Sequence, residues 1–254
     1  MEIIMKPEFE EYAQNLAEKI NQVEKKIDPK IMNYKDHCGL IFKKDITNKN
    51  IILDPNYNNY QVMMEWEKPY MKALVKNLKP KGHVLEIGFG LGYSATEIQK
   101  YNIKSHTIIE SDLNIIHKLK LWAKKQKHKV FVVKGTWQNE LKKLGKFDSI
   151  FFDDAPSKQE PDEEQIRVYI FYFEIIKKHV NKNARMTWYV DKPIYWICHP
   201  YTEWNIKEFK IKSPEHCKYT KNNVMFLPLL YFKKGAIDNI KKLIITKNFD
   251  LKKL

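Results

Sequence analysis

A short apolar stretch that breaks into a glycine-rich turn constrains this chain more than any other segment. Residues 84–87 read Val-Leu-Glu-Ile, and residues 88–92 read Gly-Phe-Gly-Leu-Gly. The apolar run predicts a buried strand, and the glycines permit a sharp turn that can approach a ligand closely because no Cβ intervenes. A strand, such a turn and a helix start together form a nucleotide-type site at the carboxyl end of a parallel strand. Many cofactors use turns of this kind, so other residues must specify the ligand.

Predicted strands and helices alternate from the glycine turn as far as residue 190, which indicates a doubly wound, Rossmann-like α/β sheet. Two late strands, near 206–212 and 224–232, have no long helix between them and predict a closing antiparallel pair. That sheet is typical of class I methyltransferases, whereas a nicotinamide dehydrogenase normally needs a second set of crossovers. The other predicted strands are 84–87, 107–110, 130–133, 147–153 and 185–190, and the predicted helices are 69–78, 93–100, 113–127, 137–144, 163–180 and one near 236–246.

The first 60 residues differ from this pattern. Apolar residues recur every three or four positions over 7–27 and predict a helix, and 30–60 predict short strands or irregular structure. We therefore expect an N-terminal helical, lid-like extension over 1–60, with a helix packed on the core as the alternative for 7–27, and a methyltransferase-type domain over 61–254.

Composition also bears on the cellular location that we expect for the protein. The sequence has no run of about 18 apolar residues, so we expect no membrane span, and its first residues lack a signal-peptide pattern. Its three cysteines show no CxxC spacing, which fits free thiols in a reducing compartment, and we expect a cytoplasmic protein.

The net charge of +14 raises nucleic acid as a partner. Only Arg167 and Arg185 are arginines, however, and arginine is the preferred residue for forked contacts to phosphates and bases. The lysines are spread along the chain, so we disfavour nucleic acid as the partner.

Polar residues follow three predicted strands at the edge where a ligand crevice is expected. Glu110 stands where an acid binds ribose hydroxyls in dinucleotide and S-adenosylmethionine (SAM) sites alike, although a solvated strand-end acid fits the pattern too. Trp137, after Thr136, could stack on adenine or lie in the core. Asp153 and Asp154 are costly side by side if buried, unless a cationic substrate lies next to them; two exposed loop acids are the alternative.

These pieces together resemble guanidinoacetate N-methyltransferase and its arginine-methylating relatives, class I SAM-dependent enzymes. The resemblance covers about residues 61–156, and its most specific block lies outside the general SAM fold. The matching segments are Trp66-Glu67-x-Pro69-Tyr70-Met71, Val84-Leu85-Glu86-x-Gly88-Phe89-Gly90, Ile108-Ile109-Glu110, Lys129-Val130 with Lys134-Gly135-x-Trp137, and Phe147-Asp148-x-Ile150-x-x-Asp153-x-x-Pro156.

The resemblance implies SAM as cofactor and a guanidino nitrogen as methyl acceptor. Glu67 and Asp153 would hold the guanidino group, and Asp153 would also take its proton. We expect Asp154 and Asp191 to join them in binding the substrate. The residues implied at the cofactor are Met63, Met71, Glu86, Gly88, Phe89, Gly90, Leu91, Gly92, Tyr93, Ser94, Glu110, Ser111, Asp112, Thr136 and Trp137.

The chemistry supports carboxylates in these roles. A guanidinium has no free lone pair to attack the sulfonium methyl, so a carboxylate must bind it through charge-assisted hydrogen bonds and accept a proton as the nitrogen attacks. Two carboxylates also balance the guanidinium and sulfonium charges in a closed site.

The chain departs from the family after the fifth predicted strand of the main sheet. The family has a Thr-Ser segment there whose backbone amides bind the substrate carboxylate, but residues 190–194 read Val-Asp-Lys-Pro-Ile. Pro193 has no N–H, and Asp191 would repel a carboxylate. An arginine peptide or another arginine derivative therefore fits the acceptor site as well as guanidinoacetate does. An RNA methyltransferase and a non-catalytic SAM-binding subunit are further hypotheses that the sequence leaves open.

Three adjacent His/Cys pairs are candidates for a metal site: His37-Cys38, Cys198-His199 and His216-Cys217. Zinc ligands normally stand two to four residues apart, so we predict no metal there.

Overall fold

A seven-stranded sheet forms the centre of the protein. The computed structural model describes residues 39–155, 163–192, 196–198, 200–237 and 244–246. The strands are β1 (Ile41–Lys44), β2 (Asn50–Asp54), β3 (Tyr60–Met64), β4 (Gly82–Ile87), β5 (Ile103–Glu110), β6 (Val130–Lys134), β7 (Phe147–Phe152), β8 (Val180–Trp188), β9 (Trp196–Cys198), β10 (Thr202–Lys210), β11 (Val224–Phe232) and β12 (Ile244–Thr246). The helices are α1 (Lys68–Leu78), α2 (Tyr93–Ile98), α3 (Leu113–Ala123), α4 (Trp137–Glu140) and α5 (Glu163–Lys178).

The strand order of this sheet confirms the predicted fold class. The order is β6-β5-β4-β7-β8-β11-β10; β4 to β8 are parallel, and β11 runs antiparallel to both β8 and β10. The chain winds outward from β4 in one direction and from β7 in the other, so the sheet reverses between these two strands. The carboxyl ends of β4 and β7 therefore border the crevice in which open α/β sheets bind ligands.

Helix α1 connects the small sheet of β1, β2 and β3 to this central sheet. Proline stands at its start, as predicted, and Lys79 ends it in the left-handed conformation (φ 48°). One apolar face of α1 is fully buried, and burying each such side chain contributes about 1.5–3 kcal/mol. That face consists of Tyr70, Met71, Leu74, Val75 and Leu78.

Several predicted bounds differ from the structure. Strands β5 and β10 each begin four residues before the predicted starts at 107 and near 206. The sequence predicts the fifth strand of the main sheet over 185–190, but β8 begins five residues earlier and ends at Trp188. The predicted helix near 236–246 is wrong in its last turn, because Ile244–Thr246 forms a strand paired with Trp196–Cys198. Consecutive β-branched residues favour that extended conformation.

The N-terminal part is described from residue 39 onward. The predicted helix over 7–27 lies outside the described residues, and the small sheet β1-β2-β3 runs across the predicted boundary at 60/61. The division into an extension and a main domain stays a prediction. Within the described residues, none of the helices is long and apolar enough to cross a membrane.

Candidate active site

The glycine turn lies between the ends of β4, β5 and β7. Gly88, Gly90 and Gly92 all have positive φ angles, of 80°, 51° and 73°. The Gly88 N–H donates to the Ile109 carbonyl at 3.0 Å, which holds the turn against β5. A Cβ at position 88 would overlap the carbonyl oxygen of Asp153. Glycine is therefore required here for both its backbone angle and its lack of a side chain.

Met63, which the resemblance implies as a cofactor contact, lies on β3 of the small sheet and packs over the glycine turn. Its sulfur lies 3.2 Å from the Leu91 nitrogen, and a Cβ at Gly90 would approach that sulfur to 2.5 Å. Phe89 packs beneath Gly92 and against Trp122, with ring centroids 5.3 Å apart. The turn is thus held by apolar side chains on both sides.

Two further predicted cofactor residues lie on helices α1 and α2. Met71 is fully buried on α1. Tyr93 begins α2 and lies half-buried; burial, together with the nearby Glu65 charge, raises its pKa to about 12.

Glu110 ends β5 and is bound almost entirely by backbone N–H groups. Its Oε2 accepts from Phe89 at 2.9 Å, and its Oε1 accepts from Ser111 at 2.8 Å and from Asp112 at 3.0 Å. Burial raises the pKa of Glu110, while these hydrogen bonds lower it. A carboxylate accepts about four hydrogen bonds, so one position on Oε2 is left for a ligand hydroxyl.

Glu86 and Ser94, also predicted at the cofactor, bind each other. The Ser94 hydroxyl donates to Glu86 Oε1, and Glu86 Oε2 lies 2.8 Å from His106 Nε2. All three side chains are buried and tie α2 and β5 to β4 behind the turn. A direct contact of Glu86 with the cofactor stays a prediction.

Asp112 caps helix α3. Its Oδ1 accepts from the N–H groups of Asn114 and Ile115, both at 2.9 Å, and its Oδ2 accepts from Leu40 at 3.0 Å. Both oxygens therefore have structural partners, and cofactor contacts through Asp112 and the half-buried Ser111 stay predictions.

Trp137 lies in the core at the start of α4. It is 3% exposed, and its ring packs edge-on against Phe171 at a centroid distance of 5.2 Å. Thr136 precedes it as the N-cap residue. The Gly135 N–H donates to the Glu110 carbonyl at 2.9 Å, so this turn stays at the same sheet edge as the acid. Stacking of Trp137 on adenine stays a prediction.

Asp154 is held by protein donors. The Trp137 indole N–H donates to its Oδ2 at 2.6 Å, and Arg167 on α5 forms an ion pair with the same oxygen. Arg167 thus supplies a cation where the sequence pattern suggests a cationic substrate. A contact between Asp154 and the acceptor stays a prediction, with Oδ1 as the remaining oxygen.

Asp153 follows β7 and lies half-buried where the sheet reverses. Its N–H donates to the Ile87 carbonyl at 3.1 Å, which extends the β4–β7 pairing by one residue. This register places its backbone directly against Gly88.

Glu67 is a buried carboxylate whose hydrogen bonds are made by one of its two oxygens. It is 3% exposed, and its Oε1 accepts from the Met64 N–H at 2.8 Å and from the Tyr219 hydroxyl. Among the described residues, Oε2 accepts no hydrogen bond and no Lys, Arg or His forms an ion pair with Glu67. Burial raises the pKa of Glu67 to about 7, although both hydrogen bonds lower it. A buried carboxylate of this kind is suited to a cationic ligand.

Two tyrosines near Glu67 are not predicted from the sequence. Tyr189 follows β8 next to Asp153, since its N–H donates to the Phe152 carbonyl, and its buried hydroxyl has no hydrogen-bond partner in the described part of the chain. Burial and the Glu67 charge raise its pKa well above the ordinary value. Tyr219 lies in the loop between β10 and β11. No motif marks either residue; only the position of Tyr189 after a strand offers a signal.

Asp191 lies near these tyrosines, in the segment where the sequence departs from the family. Burial raises the pKa of Asp191, while the Lys192 charge and a hydrogen bond from Thr220 lower it. Its carbonyl accepts from Asn222 at 2.6 Å. Pro193 lies outside the described residues.

The His/Cys pairs do not converge in the described region. His216 lies 2.9 Å from Asp45, and Cys217 is buried against Ile51 and Met64. The side chains of the other two pairs lie outside what the structure describes. Within the described residues, no group of three or more potential ligands could hold a metal ion.

Comparison with known proteins places this site in a family. The family model for guanidinoacetate N-methyltransferase matches residues 45–190, more than half of the 254-residue chain. The chain belongs to the guanidinoacetate N-methyltransferase family. The match runs from the small sheet through the glycine turn to the end of β8, and it contains Glu67, Glu110 and Asp153.

The curated relatives of this chain are protein arginine N-methyltransferases. Protein arginine N-methyltransferase 2 of Candida glabrata is 41% identical over 101 residues, which are 38% of this chain and 24% of that protein. The enzyme of the same name from Saccharomyces cerevisiae is 31% identical over 117 residues, which are 44% of this chain and 28% of that protein. The chain therefore spans about a quarter of the length of these relatives.

Solved structures show weaker likenesses. Spermidine synthase from Thermotoga maritima covers 76% of this chain, and the match covers 72% of that chain, at 14% identity and a TM-score of 0.49. A methyltransferase from Pyrococcus furiosus covers 66% of this chain and 83% of its own, at 18% identity and a TM-score of 0.44. The fold assignment follows from the strand order alone.

S-adenosylmethionine is the cofactor of this family, and the site fits it. The turn at 88–92 lies at the sheet reversal, and Glu110 keeps an acceptor position for a ribose hydroxyl. These two features would hold the methionine and ribose parts of the cofactor.

Proposed function

We propose that this protein transfers a methyl group from S-adenosylmethionine to a guanidino nitrogen. The observation that carries the proposal is Glu67: a buried carboxylate, held through one oxygen, with no cationic partner among the described residues. Removing such a charge from water costs several kcal/mol unless a cation or a proton compensates it. A guanidinium supplies a cation together with parallel N–H donors that match a carboxylate.

Glu67 and Asp153 have separate tasks in this proposal. Glu67 binds and orients the guanidinium from the α1 side. Asp153, from the end of β7, accepts the proton that the attacking nitrogen loses, because loss of that proton frees the lone pair. The bound cofactor supplies the electrophilic sulfonium methyl. General-base assistance of this kind contributes about 10²–10⁴-fold, and alignment of nitrogen and methyl contributes further.

The raised pKa of Glu67 links acceptor binding to proton release. With a pKa of about 7, a large fraction of Glu67 is protonated at neutral pH in the absence of a cation. A guanidinium next to the carboxyl favours its charged form, so binding releases a proton. Acceptor affinity should therefore increase as the pH rises through 7.

The acceptor class is proposed to include arginine within a peptide or an arginine derivative. Asp191 stands where the family binds a substrate carboxylate through backbone amides, and its partly buried negative charge opposes a carboxylate there. The curated relatives are named protein arginine N-methyltransferase 2, which supports a peptide acceptor. Guanidinoacetate stays a candidate because the family model carries its name.

Methyl transfer from labelled S-adenosylmethionine ranks these acceptors. Guanidinoacetate, free arginine and an arginine peptide with blocked termini should be compared at equal concentration. We expect transfer to at least one of them and the highest kcat/KM with the peptide. Cofactor binding without transfer to any of the three would reject the guanidino proposal.

An RNA methyltransferase and a non-catalytic cofactor-binding subunit receive less support. An RNA methyltransferase would favour arginines for forked contacts to phosphates and bases. Arg167 pairs with Asp154, however, and the guanidinium carbon of Arg185 lies 5.5 Å from the Tyr231 ring centroid. A non-catalytic subunit would be indifferent to replacement of Asp153. A cytoplasmic location and the lid-like role of residues 1–60 stay predictions.

A further inference from the structure

The loop between β10 and β11 reaches across the candidate site to the small sheet. Gln61 on β3 binds this loop twice: its amide N donates to the His216 carbonyl at 3.0 Å, and its amide O accepts from the Lys218 N–H at 2.7 Å. His216 also lies 2.9 Å from Asp45. The loop is therefore fixed on the small sheet independently of any contact with Glu67.

Tyr219 continues from this anchored segment to Glu67. Its ring stacks on Trp66 with centroids 6.3 Å apart and an interplanar angle of 26°. Its hydroxyl donates to Glu67 Oε1, the oxygen that also accepts from the Met64 N–H. With Oε1 held by two donors, the carboxylate plane is fixed and Oε2 is left for a ligand.

We infer that Tyr219 is a positioning residue that orients the Glu67 carboxylate toward the methyl acceptor and favours its charged form. The inference rests on the proposed function for the role of the acceptor, but not for the contact with Glu67. Tyr219 lies outside the 45–190 match and acts from the C-terminal part of the chain. The acceptor site is thus completed by a loop that the family match does not include.

Tyr219 is the partner of Glu67 that a side-chain substitution can remove. In the part of the chain that the structure describes, the Glu67 charge raises the pKa of three tyrosines: Tyr93 on α2, Tyr189 after β8 and Tyr219 itself. Among the described residues, only Tyr219 hydrogen-bonds to the carboxylate through a side chain. Losing a donor to a carboxylate removes stabilisation of its charged form, so the pKa of Glu67 should rise.

Tyr219→Phe tests this inference because it keeps the ring on Trp66 and removes only the hydroxyl. Carbon-13 NMR of glutamate-labelled protein, with the Glu67 signal assigned from Glu67→Gln, should show the midpoint of Glu67 moving up by about one to two pH units. The control is Tyr189→Phe, which removes a buried hydroxyl near Glu67 that has no hydrogen-bond partner among the described residues. Because that hydroxyl does not donate to the carboxylate, the control should leave the midpoint unchanged.

Activity gives the second measurement. Tyr219→Phe should lower kcat/KM for the acceptor by about tenfold or more at pH 7 and move the acid limb of the pH profile upward, with cofactor Kd unchanged. An unchanged Glu67 midpoint in Tyr219→Phe, or the same upward shift in Tyr189→Phe, overturns the inference. These NMR outcomes do not depend on turnover, so they are distinct from a failure of the proposed function, which would show as no transfer by the unmodified protein.

Discussion

The backbones of Gly88 and Asp153 lie so close together that a Cβ at position 88 would overlap the carbonyl oxygen of Asp153. This contact joins the cofactor turn to the proposed base at the place where the sheet reverses. The Asp153 N–H, bonded to the Ile87 carbonyl at 3.1 Å, fixes the same register from the other side. The expected position of the methyl donor and the position of the proposed base are therefore linked through the backbone.

Gly88→Ala should disturb both positions. The positive φ of 80° costs an L-residue about 1–2 kcal/mol, and the overlap with Asp153 adds to that cost. We expect a lower free energy of unfolding in urea and at least tenfold weaker binding of S-adenosylhomocysteine by calorimetry. Gly145→Ala is the matched control, since a Cβ there meets nothing within 4 Å. Equal effects of the two substitutions would contradict the proposed contact.

Asp153→Asn should separate catalysis from cofactor binding. The amide keeps the shape of the side chain but cannot accept the proton of the guanidino nitrogen, so kcat should fall by about 10²–10⁴-fold. Binding of S-adenosylhomocysteine should change by no more than a few-fold. Unchanged turnover would remove Asp153 from the mechanism and favour a non-catalytic role for the protein.

The Glu67 carboxyl should make the ligand-free protein less stable as pH rises from about 4.5 to 7. Its folded-state pKa of about 7 exceeds its ordinary value, so the folded state holds more protons than the unfolded state across this window. The stabilisation by protonation is complete below about 4.5 and is lost as pH rises through 7, which amounts to about 3 kcal/mol.

Urea unfolding of the ligand-free protein at a series of pH values measures this effect. Glu67→Gln is the reference, because its amide oxygen can still accept from Met64 and Tyr219 while it does not titrate. The difference in the free energy of unfolding between the two proteins should change from about pH 4.5 to pH 7 and stay constant above that range. A difference that does not vary with pH would show that Glu67 titrates at its ordinary pKa.

Much of the fold and part of the site could be predicted from the sequence. Periodicity and the glycine turn are local signals, and they place β4, α1 and β11 closely. They also predict the late antiparallel pair, although its first strand, β10, begins four residues before the predicted start. The predicted helix over 69–78 also places Glu67 just before α1. Local signals do not define the exact strand start, however, which is why the predicted start of β8 is five residues late.

The remaining features depend on contacts between residues distant in sequence. Tyr219 meets Glu67 across 152 positions, and nothing near Tyr219 marks it as part of a site. Arg167 meets Asp154 across only 13 positions, but a helix start and a strand end have no fixed distance until the sheet is assembled. Two adjacent aspartates in a sequence suggest one external cation for both, whereas the folded protein itself supplies a cation for Asp154.

The Arg167–Asp154 pair should therefore contribute to stability. Both side chains are largely buried, with 5% and 18% exposed. Asp154→Asn leaves the Arg167 charge without this carboxylate, and breaking a buried pair in this way costs about 3–5 kcal/mol, with the partial exposure of Asp154 favouring the lower end. Replacing both residues, as in Asp154→Asn with Arg167→Met, should cost less than the two single changes added together, because each single change already removes the interaction between them. Urea unfolding of the two single variants and the double variant gives this coupling free energy directly, and strictly additive losses would show that the two side chains do not interact in solution.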